Sequence, residues 1–354
     1  MMTTIQTKRT HKKAKASLLG KGLWAIGLLM LMSLTATPLS AQSLLRRADS
    51  ILSQRYYNSR IDTLFIVRPQ TKWTLRTRLN FSGARIETEG IENGQKISTV
   101  MVAQKKTTIS VGATYLGVSL YLALNPAKLF GKYHDYELNI NSYGRKFGFD
   151  VIYHDAKNFT GHYDQEGMER IDLPKGILKV RTLNLNAYYA FNHRRFAYPA
   201  AFTQSYIQRR SAGSFLVAAS AMWQHAAIDE SQAEGIPEDQ RLDGRLVLRM
   251  MNVGIGGGYG YNIVPGKGWL IHLSALPTFI VYSNASLKMN DERAELRYHF
   301  PEFIVTTRSA LVYQWKNKFL GLSMVYNYTN VGHRKTLSVE NSKWRLRAFF
   351  GFRL

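Results

Sequence analysis

The chain has 354 residues and no cysteine, and 47 Lys and Arg against 24 Asp and Glu give a formal net charge of +23. Without cysteine there are no disulfide scaffolds, zinc ribbons, thiol nucleophiles or cysteine-held clusters. A hydrophobic fraction of 45% excludes a wholly disordered basic chain. The charge leaves three partner classes open: nucleic acid, an anionic membrane or an anionic solute.

The first 41 residues carry Lys8, Arg9, Lys12, Lys13, Lys15 and Lys21 and no acid. An apolar run follows from Gly22 to Met32, then Pro38, Ser40 and Ala41. This basic, apolar, small-residue order predicts a secretory signal peptide over 1–41. The run is shorter than the roughly 20 residues a membrane-spanning helix needs. Six of the 47 bases and none of the 24 acids leave with it, so the mature chain keeps 41 against 24, a net +17. Export also argues against a nucleic-acid partner. Residues 42–70 are expected to form a periplasmic N-terminal segment. Leu44, Ala48, Ile51, Leu52 and Tyr56 have helical spacing in it, which predicts a short helix.

From Lys72 onward the chain alternates with period two. Trp73, Leu75, Leu79 and Phe81 fall on one face, with Arg76, Arg78 and Asn80 on the other. Phe147, Phe149, Val151 and Tyr153 alternate with Gly148, Asp150 and His154, and Leu320, Leu322 and Met324 with Gly321 and Ser323. The apolar faces often end in aromatics, and the opposite faces are small, polar or charged. A soluble sandwich hides the apolar face, whereas a membrane barrel turns it to lipid. The last strand sets Trp344, Leu346, Ala348, Phe350, Phe352 and Leu354 against Arg345, Arg347, Gly351 and Arg353. It resembles the C-terminal signal that the barrel assembly machinery reads, with Leu354 in place of the usual terminal aromatic.

Twelve strands are expected, near 71–82, 104–115, 116–125, 135–143, 146–155, 178–191, 212–225, 245–263, 268–282, 303–315, 318–329 and 342–354. Ten or fourteen remain open. Short turns at Tyr143–Arg145, Pro265–Lys267 and Lys316–Asn317 alternate with long polar loops at 83–97, 156–177, 226–244, 283–302 and 330–341. One long connection, 192–211, falls where a short turn is due. Pro277 inside a strand calls for a bulge or a strand end. The run Gly254–Gly260 lacks the Lys-Ser or Lys-Thr of a phosphate loop, and a bulge or crowded small residues explain it better. The expectation is an all-β transmembrane antiparallel barrel over 71–354, in the cell outer membrane.

Several stretches resemble one family: Tyr57–Leu64, Leu122–Lys128, Tyr136–Gly144 and above all Ala190–Ser214. They are similar to the domain of unknown function 4421 family, known from secreted proteins of Bacteroides-type bacteria. The resemblance covers nearly all of the mature chain. It implies an outer-membrane-type barrel and carries over no activity.

The first and last strands of a closed barrel are neighbours, so Arg76 and Arg78 should lie near Arg345, Arg347 and Arg353. Guanidinium forks suit phosphate and carboxylate, so this wall is a candidate site for an anionic solute or lipopolysaccharide. The opposing reading is a lumen network in which Glu137 and Asp150 neutralise the arginines. The 192–211 connection carries Arg194, Arg195, Arg209 and Arg210 among aromatics, and suits either a periplasmic docking segment or a plug. The expected role is a non-enzymatic channel, solute-binding or structural barrel. The alternative is an outer-membrane enzyme acting on lipid A or phospholipid, which needs a His paired with a Ser or carboxylate. His154, His272, Ser119, Ser214, Ser220 and Ser323 lie in strands, but no spacing pairs them. No catalytic residue, metal ligand or cofactor is assigned. Asp229, Glu230, Glu234, Glu238 and Asp239 make an acidic loop that reads as solvated rather than calcium-binding. The expected partners are outer-membrane lipid, lipopolysaccharide, the assembly machinery and an anionic solute.

Overall fold

The computed structural model describes residues 38–92, 94–116, 118–124, 136–157, 159–173, 175–228, 246–289, 292–296, 302–333 and 337–354. The run expected to be a signal peptide and the acidic 229–245 loop lie outside the described residues. The chain divides into two units, residues 1–59 and 60–354. In the first, a helix spans Pro38–Tyr57. It is longer than the expected helix and begins ahead of Ala41. No helix among the described residues is long and apolar enough to cross a membrane.

The second unit is built on antiparallel strands. In chain order they are β1 (Ile66–Val67), β2 (Trp73–Glu92), β3 (Gln95–Ala103), β4 (Lys106–Tyr115), β5 (Val118–Leu124) and β6 (Tyr136–Tyr143). Next come β7 (Phe147–Ala156), β8 (Phe159–Gln165), β9 (Ile171–Leu173), β10 (Leu178–Ala190), β11 (Ile207–Gln208) and β12 (Ala212–Ile228). The last six are β13 (Leu246–Ile263), β14 (Trp269–Met289), β15 (Glu292–Leu296), β16 (Phe303–Trp315), β17 (Lys318–His333) and β18 (Leu337–Arg353).

Twelve of these pair in the order β5-β4-β2-β18-β17-β16-β14-β13-β12-β10-β7-β6. They match the twelve expected strands. The two ends of this path, β5 and β6, are consecutive in the chain. First and last strands are neighbours, with Arg76 opposite Gly351, Arg78 opposite Phe349 and Asn80 opposite Arg347. The sheet curls strongly: Arg308 on β16 and Asp150 on β7 lie five ladders apart along it, yet meet at 2.6 Å.

The burial pattern is inverted relative to a soluble protein. Phe215 (70% exposed), Ile255, Leu273, Phe279, Leu311, Leu320, Leu322 and Phe350 face outward, while Arg76, Arg78, Asp150, Gln224, Asn252, His272, Arg308 and Arg347 are buried. Outward aromatics gather at the short-turn end, with Trp73–Tyr115 at 4.5 Å, Phe147–Tyr189 at 5.0 Å, Phe215–Tyr259 at 5.1 Å and Trp269–Tyr313 at 4.8 Å. Higher up, Trp223 and the Phe303–Tyr328 pair (6.4 Å) also face outward. From Tyr313 to Phe303, ten residues at roughly 3.3 Å each along a strand tilted by about 40° rise about 25 Å, the height of a barrel's apolar band.

Several expected loops are strands. β2 continues to Glu92 and pairs with β3, which pairs with β8 and then β9; β15 pairs with the end of β14. These long-connection ends fold over an inward apolar cluster that includes Ile86, Met101, Phe159, Leu178, Leu248 and Val339. Next to it a second cluster gathers Met222, Met250, Ile280, Ile304 and Val331. The glycine run lies where β13 and β14 approach closely. A Cβ at Gly256 would sit 2.1 Å from the Pro277 carbonyl oxygen, and one at Gly258 would sit 1.9 Å from that of Ala275. Pro277 falls where the β13–β14 register is interrupted between Gly256 and Tyr259, and the register shifts at Val253/Gly254. The missing proline N–H coincides with this local gap in the β13–β14 ladder, while Pro277 stays paired with Val305 on the other side.

Candidate functional site

The connection between β10 and β12 folds inward. A short helix, Tyr198–Phe202, starts with Pro199 in its first turn, a position where the missing N–H costs nothing. Phe196, Tyr198, Thr203 and Gln204 are fully buried, and Phe202, Tyr206 and Gln208 nearly so. The helix therefore plugs the short-turn end of the lumen. Its return strand β11 pairs with β1.

Side chains from around the sheet hold this plug. Arg76 on β2 donates to the Phe202 carbonyl and to Gln204 Oε1, both at 2.6 Å, and also bonds the Tyr121 hydroxyl. Arg353 on β18 donates to the Gln204 carbonyl (3.1 Å) and to Gln314 Oε1 (2.5 Å). Asn262 on β13 donates to the Ala197 carbonyl at 3.0 Å. Arg145, in the turn after β6, donates to the His193 carbonyl at 2.7 Å. The Tyr198 ring stacks on Tyr188 (4.6 Å) and Phe202 (5.1 Å), and its hydroxyl accepts from Arg308 at 3.2 Å. Burial raises the Tyr198 hydroxyl above its ordinary pKa, so it stays protonated.

Above the plug the lumen is basic. Arg76, Arg78, Arg345, Arg347 and Arg353 line the β2–β18 wall, as the strand order requires. The Arg78 guanidinium stacks 3.4 Å from the Tyr121 ring centroid. Lys106, Arg308 and Lys343 add three more inward cations, making eight among the described residues. Asp150 bonds Arg308 at 2.6 Å and accepts from the Tyr143 hydroxyl at 2.6 Å. Of the two acids expected to neutralise the arginine wall, Asp150 therefore pairs with a residue that the sequence did not single out. Glu137 lies on β6, and its side chain is not among those described. The other inward carboxylate among the described residues, Glu302, lies at the long-connection end and accepts from the Gly332 N–H at 2.9 Å.

The four arginines of the connection stay outside the lumen. Arg194, Arg195, Arg209 and Arg210 are exposed at the short-turn end. Arg195 pairs with Asp62 at 2.9 Å and lies 5.0 Å from the Phe65 ring centroid.

One His–Ser pair exists that the sequence did not suggest. His272 Nε2 lies 3.0 Å from Ser274 Oγ, and its Nδ1 lies 2.7 Å from Asn262 Oδ1. The His272 ring is fully buried against Phe196, Tyr198 and Phe202 at 6.0, 4.9 and 5.1 Å. Ser274 also meets the Tyr198 hydroxyl at 3.2 Å. No group of three or more residues able to hold a metal occurs among the described residues.

A family model described as Domain of unknown function (DUF4421) matches residues 60–354, the whole of the second unit. The chain belongs to this family. Among solved structures, the DUF4421 chain is similar to the outer membrane protease OmpT from Escherichia coli. Identity is 7%, with 81% of this chain and 97% of that one covered, at a TM-score of 0.43. It is also similar to the outer membrane protein OprG from Pseudomonas aeruginosa, at 11% identity, 80% and 97% coverage and a TM-score of 0.28. A third is the beta domain of the Bordetella autotransporter BrkA, at 12% identity, 78% and 99% coverage and a TM-score of 0.30. No curated protein matches the DUF4421 chain.

Proposed function

We propose that this chain is an outer-membrane barrel that conducts no steady current and holds an anionic solute in a closed basic lumen. The observation that carries the reading is the inverted burial, with an apolar band about 25 Å tall outside and ionised side chains inside. Only lipid makes that exterior favourable, since exposed apolar surface costs about 25 cal/mol per Å² in water. The plug at one end and the apolar clusters at the other favour a closed compartment over an open channel. Among the described side chains, eight inward cations against Asp150 and Glu302 favour an anion, because buried charge needs compensation.

The test combines fractionation, gel migration and planar-bilayer recording. The protein should co-fractionate with the outer membrane, migrate faster unheated than heated, and pass no steady current. A soluble periplasmic location, or a steady open-pore current, overturns the proposal.

The enzyme reading has one observation in its favour, the His272–Ser274 pair with Asn262 behind it. That order matches a nucleophile, a base and an orienting group. Nucleophilic attack also needs room for a substrate beside the serine. Here three plug aromatics and the Tyr198 hydroxyl occupy that side. The trio is better suited to holding the plug.

A further inference from the structure

We propose a binding site for one phosphate-sized oxyanion in the upper lumen, centred on Lys343; it rests on the closed basic barrel proposed above. A cavity of about 50 Å³ lies there, lined by Lys343, His154, Asn341, Asn327, Thr182 and Thr329 among others. A water position needs roughly 10–15 Å³ by this measure, so the cavity has room for a single tetrahedral oxyanion and little more. Among the described side chains no carboxylate lines it.

The donors are in place. Lys343 Nζ is buried and has no hydrogen-bond partner in the protein. An ammonium group in that position is costly unless an anion compensates it. Lys106 Nζ donates to His154 Nε2 at 3.0 Å, which sets a second ammonium group against a cavity-lining ring. Asn341 Nδ2 donates to Gln224 Oε1 at 3.0 Å, and Gln224 Nε2 is buried with no acceptor. One unpartnered ammonium group and several amide and hydroxyl groups thus line a small space together with apolar side chains such as Ile86 and Phe159, and the second ammonium group stands behind the His154 ring. This is the donor set of a buried oxyanion site, where charge-assisted bonds dominate. Arg345 follows Lys343 by two residues on the same inward face of β18 and continues the positive charge toward the arginine wall.

The test uses the full chain refolded in detergent micelles, titrated calorimetrically with inorganic phosphate. Wild type should bind one phosphate per chain. Lys343→Met should weaken binding by about tenfold or more, the usual worth of a hydrogen bond to a charged group. Lys106→Met should weaken it as well and serves if the first variant fails to fold. Arg170→Met, on the exposed connection that pairs with Asp164, should leave binding unchanged. Glycerol 3-phosphate, too large for about 50 Å³, should bind more weakly than phosphate, and equal binding would overturn the enclosed site. Folded wild type that binds no phosphate, or Lys343→Met that binds like wild type, overturns the site while leaving the closed barrel standing. Wild type without heat-modifiable migration removes the barrel reading itself.

Discussion

Removing Asp150 tests whether the lumen is as electropositive as its side chains indicate. Asp150 and Arg308 are 2.6 Å apart, with side chains 8% and 4% exposed. Breaking a buried pair by deleting one partner costs about 3–5 kcal/mol, because the other charge is left behind. The two deletions should not cost the same. Asp150→Ala leaves Arg308 among seven other inward cations and also strips the Tyr143 hydroxyl of its acceptor, a further loss of about 1–3 kcal/mol. Arg308→Met leaves Asp150 with the Tyr143 donor and with cations still facing it, so its cost should lie near the lower bound, about 3 kcal/mol. Asp150→Leu combined with Arg308→Met should cost less than Asp150→Ala alone. The assay is urea unfolding in micelles followed by tryptophan fluorescence, with free energies from linear extrapolation. If Arg308→Met costs as much as Asp150→Ala, or more, the lumen is not net positive around this pair and the anion argument fails.

Two further predictions address the exterior and the buried serine. Leu322→Arg places a cation on the outward face of β17, at the height of the apolar band, and should destabilise the micelle-bound protein by about 2–4 kcal/mol. Ile91→Arg, on the part of β2 beyond that band, should cost about 0–1 kcal/mol, and equal costs would remove the membrane assignment. A serine-directed fluorophosphonate, applied to the intact protein, should leave Ser274 unmodified. A peptide adduct there that disappears in Ser274→Ala would establish the enzyme reading instead.

The barrel was legible because membrane strands show both faces at every second residue. Trp73 to Phe81 and Trp344 to Leu354 revealed their outward and inward sides directly, whereas the strand count stayed open between ten and fourteen until the ladders fixed the path of twelve. The extensions beyond the band were not legible. The Thr–Glu–Ser-rich stretch from Ser82 to Val100 has polar residues on both faces, so its period carries no contrast and it reads as loop, although it pairs as β2 and β3. The arginine wall was legible from chain closure alone, since first and last strands must meet. The partner of Asp150 was not, because which inward residue faces it across a curled sheet depends on curvature and shear. Arg308 carried one signal that could have been used: it is the only charged residue of β16, and it sits at an inward position. The aromatic content of 192–211 showed that the segment packs, but its direction is set by Arg76, Asn262 and Arg353, which come from distant parts of the chain.

The plug also bears on how the barrel could open sideways. Arg76 belongs to the first strand of the ring and Arg353 to the last, and both grip the same short stretch, Phe202 to Gln204. Besides its own ladder, the β2–β18 seam thus has a rivet set from within. Parting those two strands means first withdrawing the plug from at least one of them. Opening at the β2–β18 seam and release of the plug are therefore one mechanical event in this fold.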